Sequence, residues 1–225
     1  MGASEPSGPY LSPEEAKRFY DSFGSRQDWQ VFYEKSAIAD LIAQAAFGSA
    51  RSVFEFGCGT GALAARLLRD YLPADARYVG LDLSSTMVSL ARKRLQPWSE
   101  RAHIHQSDGS AQTHQPNHSF DRFVSCYVFD LLAPTFIEQL LMEAHGLLVP
   151  KGRLCLVSLT FGVSRLSCAL STCWQGVWRL RPKLVGGCHP IELTDHLLSE
   201  EWNMEYRNKV IRWGVPSEVL VACAR

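Results

Sequence analysis

Between Arg51 and Leu159, short apolar runs alternate with longer segments of helical period. Val53 to Phe56, Tyr78 to Asp82, His103 to Gln106, Phe120 to Cys126 and Leu154 to Leu159 read as strands. Ala62 to Tyr71, Thr86 to Leu95 and about Pro134 to Leu148 read as the helices between them. Such alternation predicts a parallel sheet with helices on both faces, its ligand loops gathered at the carboxyl edge. Upstream, Ser12-Pro13-Glu14-Glu15 combines an N-cap, a proline at the first helical position and a glutamate at the third, and predicts a helix to about Phe23. A second helix, near Asp28 to Phe47, places Val31, Ala37, Ile38, Leu41, Ile42 and Ala45 on one side. Downstream, Glu205 to Trp213 and Glu218 to Ala224, separated by Gly214-Val215-Pro216, predict a closing antiparallel hairpin. The expected fold class is therefore α/β: a Rossmann-like, seven-stranded, mostly parallel sheet with a C-terminal antiparallel hairpin and helices on both faces.

One segment carries chemistry. Val53-Phe54-Glu55-Phe56-Gly57-Cys58-Gly59-Thr60-Gly61-Ala62 joins an apolar strand to a helix through glycines at every second position. Glycines so placed are expected where a backbone or a ligand must approach closely. A helix start presents free amides and a positive dipole end, which suit a phosphate or a carboxylate. Two cofactors fit. Gly57, Gly59 and Ala62 satisfy a dinucleotide pattern, with Asp82 at about the spacing of a ribose ligand. Glu55 turns the choice: a carboxylate there repels a pyrophosphate and attracts the ammonium of a methionine moiety. Asp108-Gly109, after the third strand, adds an acceptor for an adenine amino group, for which a dinucleotide site has no use.

On these residues the chain resembles the class I S-adenosylmethionine-dependent methyltransferases, in style the small-molecule enzymes of ubiquinone and menaquinone biosynthesis. EFGCGTG resembles that family's ExGxGxG loop, GLDLSSTMVSLARKRL its second-strand acid and following helix, QSDGS its adenine-side turn, and LLVPKGRLCLVSL its LxPGGxL turn and fifth strand. Lys151 stands where the family usually has glycine, which puts that turn's geometry in question. The resemblance implies S-adenosyl-L-methionine as cofactor, held by Glu55, Gly57, Cys58, Gly59, Gly61, Asp82, Leu83, Met87, Asp108, Gly109 and Ser125. It also implies methyl transfer to a small organic acceptor by in-line displacement, and N-terminal helices, bearing Tyr20, Trp29 and Tyr33, folded over the cofactor. A base is useful when the acceptor must lose a proton, and the candidates are Tyr127 and Asp130 at the correct sheet edge, with His189 on the lid-like insertion. An NAD(P)-dependent oxidoreductase and a catalytically silent binding module of the same fold are the alternatives.

Composition narrows the partners. With 23 basic and 23 acidic residues, the chain has no net pull on nucleic acid, and a nucleic-acid substrate is not expected. The seven cysteines, an odd count without zinc spacing, read as reduced core residues; neither a metal nor an obligate protein partner is implied, and the expected location is cytoplasmic. Residues 1–11, rich in Ser, Gly and Pro, are expected to be disordered, and 12–225 to form a single domain with N-terminal helices over 12–48. Residues 161–191 contain Arg165, Arg179, Arg181 and Lys183 but no acid. Leu166, Leu170, Cys173, Val177 and Leu180, with Trp174 and Trp178, have helical spacing there, which predicts a lid-like insertion over an apolar, anionic or lipid-like acceptor. Its residues 163–183 would make transient contact with a membrane surface; a packed helix with its arginines in water is the plainer reading.

Overall fold

The computed structural model describes residues 9–23 and 31–225. Residues 1–8 of the segment expected to be disordered, and Trp29, lie outside the described residues, as does the Tyr33 side chain. The helices are α1 (Pro13–Phe23), α2 (Val31–Gln44), α3 (Ala62–Asp70), α4 (Ser85–Arg94), α5 (Pro134–Leu147) and α6 (Arg165–Leu180). The strands are β1 (Ser52–Phe56), β2 (Arg77–Asp82), β3 (Ala102–Gln106), β4 (Phe120–Cys126), β5 (Leu148–Leu159), β6 (Trp202–Arg212) and β7 (Val215–Ala224). They form one sheet in the order β3-β2-β1-β4-β5-β7-β6. β1 to β5 are parallel, and β7 inserts antiparallel between β5 and β6. The expected fold class is what is observed.

Strand alternation divides the core. Val53, Val124, Cys155, Val157, Val219 and Val221 face one layer with Leu41 of α2 and Leu67 of α3. Phe54, Phe123, Leu154, Leu156 and Leu220 face the other, against Ile137, Leu140 and Ala144 of α5. Successive side chains of a strand point to opposite faces, so each of these apolar strands serves both layers. The chain reverses between β1 and β4, and the crevice at their carboxyl ends is where an open α/β sheet binds its ligands.

Local chemistry sets the boundaries. The predicted capping box on α1 is present: the Ser12 amide donates to Glu15 Oε2 and the Glu15 amide to Ser12 Oγ, both at 3.2 Å. β6 and β7 turn through Trp213 (φ 54°) and Gly214 (φ 82°), which moves the reversal one residue ahead of the Gly-Val-Pro expected from sequence. Lys151 takes φ 66°, the left-handed conformation a glycine would adopt without cost. β5 starts at Leu148, earlier than expected, because Leu148 pairs with Phe120 before the bulge.

The structure refines two expectations. Tyr10 and Leu11, expected in the disordered segment, are packed: the Tyr10 ring stands edge-on to Trp178 at 5.3 Å and to His189 at 5.4 Å. The insertion does form a helix, α6, and of the apolar stripe read from sequence only Trp178 is fully buried. Ser167, Ser171 and Trp178 face inward, whereas Leu166, Leu170 and Leu180 are exposed. Ser167 and Ser171 bond back to the 162–164 turn and are small enough for close approach, so the leucines are left outside.

Candidate active site

The glycine loop leaves β1 and is sewn to the end of β2. The Gly57 and Cys58 amides both donate to the Leu81 carbonyl, at 2.8 and 3.0 Å. Gly57, Gly59 and Gly61 all have positive φ (77°, 51° and 72°). Two of them also have packing reasons: a Cβ on Gly57 would lie 2.3 Å from Val128 Cγ2, and one on Gly61 would lie 3.1 Å from the Ala91 backbone of α4. Gly59 differs, because its amide donates to Asp82 Oδ2 at 2.7 Å. The Ser84 amide donates to Asp82 Oδ1 at 2.9 Å, so the Asp82 carboxylate bridges the glycine loop and the start of α4. Burial nonetheless outweighs these bonds and raises its pKa.

Around this bridge the expected residues divide. Glu55 is 2% exposed, and its Oε2 accepts a hydrogen bond of 2.5 Å from Tyr78 of β2. Burial, opposed by that bond and assisted by the Asp82 charge, pushes its pKa up to about 7. Cys58 turns its thiol inward, against the space over Gly80. Met87 is buried under α4, where its amide is capped by Ser84 Oγ at 3.2 Å. Ser125 ties β4 to β1 by donating to the Phe56 carbonyl at 2.9 Å. Asp108 is exposed, accepts two bonds from Ser110 and stands 3.7 Å from His114. Leu83 and Gly109 adjoin, and Pro13 of α1 closes on Gly109 so tightly that a Cβ there would lie 2.9 Å from it.

Sequence reasoning missed Asp21. From α1 its Oδ1 accepts bonds from Ser84 Oγ at 2.6 Å and the Thr86 amide at 3.1 Å, and its Oδ2 pairs with Lys17 at 2.7 Å. Desolvation raises its pKa, but the bonds from Lys17, Ser84 and Thr86 outweigh it and hold the carboxyl well below the usual range. α1 is thereby fastened across the edge formed by Leu83, Ser84 and Gly109. The only sequence signal was an acid on the polar face of a capped helix.

The three candidate bases collect on the other side of the loop. Tyr127, in the left-handed region at φ 57°, shares a hydrogen bond of 2.9 Å with Ser217 Oγ, and burial drives its pKa well above 10. His189 stacks on Trp178 with ring centroids 4.1 Å apart, and burial lowers its pKa to about 4. Asp130 is 0% exposed, and neither of its carboxyl oxygens has a hydrogen-bond partner among the described residues. Burial first, then the Glu34 charge, pushes its pKa up to about 7. The His189 amide donates to the Asp130 carbonyl at 2.9 Å, so the insertion is joined to the loop after β4.

Comparison with known proteins finds relatives in sequence and in fold. Residues 53–152 match the family described as a methyltransferase domain. A tRNA N(3)-methylcytidine methyltransferase of Drosophila melanogaster is 27% identical over 62% of this chain and 46% of its own length. A tRNA1(Val) (adenine(37)-N6)-methyltransferase of Yersinia pestis is 34% identical over 34% of this chain and 31% of its own. This chain therefore spans less than half the length of these curated relatives. Among solved structures, the N-methyltransferase NodS of Bradyrhizobium japonicum, in complex with S-adenosyl-L-homocysteine, superposes with a TM-score of 0.70 at 16% identity, covering 93% of this chain and 98% of that one. The [4+2]-cyclase SpnF superposes at 0.73 with 14% identity, covering 97% and 99%.

Residues 53–152 are similar to a methyltransferase domain, and the chain as a whole has the fold of the N-methyltransferase NodS. S-adenosylmethionine is the cofactor this family implies, and the residues present suit it: a loop of three left-handed glycines beside an acid at the end of β2, with a second acid beneath the loop. Among the described residues no helix is long and apolar enough to cross a membrane.

Proposed function

We propose that this chain transfers a methyl group from S-adenosylmethionine to a small organic acceptor. The observation that carries this reading is the Gly59 amide held at 2.7 Å on the Asp82 carboxylate, at the carboxyl ends of β1 and β2. In this reading Gly57, Cys58, Gly59 and Gly61 supply the floor under methionine and ribose, and Asp82 exchanges its amide partners for ribose hydroxyls. Glu55 answers the ammonium from below, Ser125 holds β4 against β1, and Leu83, Met87, Asp108 and Gly109 border the adenine. When bound, the cofactor supplies a methyl carbon already made electrophilic by its sulfonium. The work left to the protein is alignment and exclusion of water. Pro13 and Asp21 on α1, with the 161–191 insertion as a lid, are suited to that exclusion.

Of the candidate bases, Asp130 fits best. A base serves near its own pKa, and burial sets Asp130 at about 7 while it removes Tyr127 upward and His189 to about 4. Calorimetry tests the reading: the protein binds S-adenosylhomocysteine and not NAD, and binding of NAD alone refutes it.

Leu166, Leu170, Val163 and Trp213 are exposed, beside Arg165 and an Arg212 stacked 5.1 Å over Trp213. That combination of apolar and basic groups supports transient contact with an anionic membrane surface, and so a lipid-like acceptor. A tRNA acceptor, named in the curated relatives, is disfavoured by the balanced charge of 23 against 23. A cytoplasmic location accords with the odd count of seven cysteines. Incubation with labelled cofactor and, separately, lipid extract, metabolite extract and total tRNA identifies the acceptor class by which pool gains label.

A further inference from the structure

Asp130 is anomalous. A buried carboxylate is normally hydrogen-bonded or paired, because stripping it of water is costly. Among the described residues neither carboxyl oxygen of Asp130 has a well-formed hydrogen bond; Ser158 and the backbone of Asp130 and Leu159 lie beside them and stabilise the charge too weakly to offset burial. A second acid makes matters worse: Glu34 of α2 lies close enough for its charge to act on Cys126, Tyr127, Asp130 and Cys188. The surroundings are aromatic. Tyr20 reaches Cys188, Trp174 Nε1 donates to the Cys188 carbonyl at 3.0 Å, and Trp178 stacks on His189 one residue away. Two more buried polar atoms there lack partners, Trp178 Nε1 and His189 Nδ1.

We infer that the acceptor is a protonated amine with an apolar or aromatic body, its ammonium bound by Asp130 with Glu34 adding charge, and its body set against the Trp178–His189 stack. The inference rests on the methyltransferase reading and names the acceptor of that same site. A cation there pairs a buried carboxylate that lacks a well-formed partner among the described residues, offsets the Glu34 repulsion and meets ring faces that attract positive charge. An anionic acceptor would set a like charge beside Asp130, and a neutral one would leave the ionised form of Asp130 without a counter-charge. The pairing also supplies a proton path. The ammonium passes one proton to the Asp130 carboxylate, leaving a neutral amine with a free lone pair and a neutral carboxylic acid. With its pKa pushed to about 7, Asp130 is able to take that proton and later return it to water. Because Asp130 is 0% exposed, entry requires displacement of the chain around it.

The test is calorimetric titration of the S-adenosylhomocysteine-saturated protein with 2-phenylethylamine, 2-phenylethanol and 3-phenylpropanoate. The amine is expected to bind at least about tenfold more tightly than the alcohol, as one charge-assisted hydrogen bond implies, and the carboxylate most weakly. Asp130→Asn should bring amine and alcohol within about twofold of each other while S-adenosylhomocysteine affinity persists, and Glu34→Gln should remove part of the preference. Equal binding of the three probes, no binding of the amine, or an Asp130→Asn protein that keeps the preference overturns the inference. Failure of S-adenosylhomocysteine itself to bind overturns the methyltransferase reading instead.

Discussion

The Gly59 amide and the Asp82 carboxylate meet at 2.7 Å, across the gap between the first two strands. The same carboxylate takes the Ser84 amide, so one side chain holds the loop and the start of α4 in register. Asp82→Ala is expected to weaken S-adenosylhomocysteine about tenfold to a hundredfold, the loss of one or two hydrogen bonds to a charged group. Calorimetry that found unchanged affinity would remove Asp82 from the cofactor site.

Gly59 has a backbone at φ 51° that a β-branched residue does not accept, and its amide faces the proposed ribose ligand. Gly59→Val should abolish cofactor binding while urea unfolding stays cooperative. Retained binding with a native unfolding curve would show the ligand lies elsewhere.

Glu55 and Asp130 shape the pH dependence of stability. Burial raises both to about 7, from ordinary values of 4.5 and 3.8. Between those values and 7 the native state holds protons the unfolded chain has lost, so stability falls as pH rises through that window and levels off above it. Asp130→Asn removes its share. The variant should match the parent near pH 4 and exceed it above pH 7, by about 4 kcal/mol at most. Parallel stability curves for the two proteins at pH 4, 6 and 8 would contradict the assignment.

Lys151 occupies the left-handed region at φ 66°, before Gly152. Lys151→Gly should stabilise the protein by about 1 kcal/mol, since glycine adopts that conformation without steric cost. Thermal unfolding checks the sign, and a lower midpoint would mean that the lysine side chain contributes more than its backbone costs.

The exposed leucines of α6 make the membrane reading testable. Replacing Leu166, Leu170 and Trp213 together by serine should abolish pelleting with vesicles of anionic phospholipid and leave the Ser164 cap of the helix intact. Pelleting of the variant equal to that of the parent sinks the idea.

Much of this was legible along the chain. β4 was bounded to the residue, and the capping box at Ser12 and Glu15 and the glycine loop with its two acids all carry short-range signals. The face of α6 was not legible. Its leucines have the helical spacing that normally marks a buried stripe, yet Ser167 and Ser171 face inward because the 162–164 turn approaches closely and needs small hydroxyl-bearing partners. Tyr10 looked disordered because its neighbours in sequence are Gly, Pro and Ser; its packing partners, Trp178 and His189, lie far along the chain.

Sequence alone determined the fold class, the glycine loop and the place of Asp82 at the end of β2, because glycine spacing, strand alternation and helix caps depend on residues a few positions apart. Tertiary structure decided what those residues do to one another. It set Asp21 on Ser84, Tyr78 on Glu55 and the His189 amide on the Asp130 carbonyl, and it buried the Asp130 carboxyl without a well-formed partner among the described residues. Desolvation and long-range pairing are properties of the assembled chain, which is why Tyr127, Asp130 and His189 looked equivalent as bases until burial separated them.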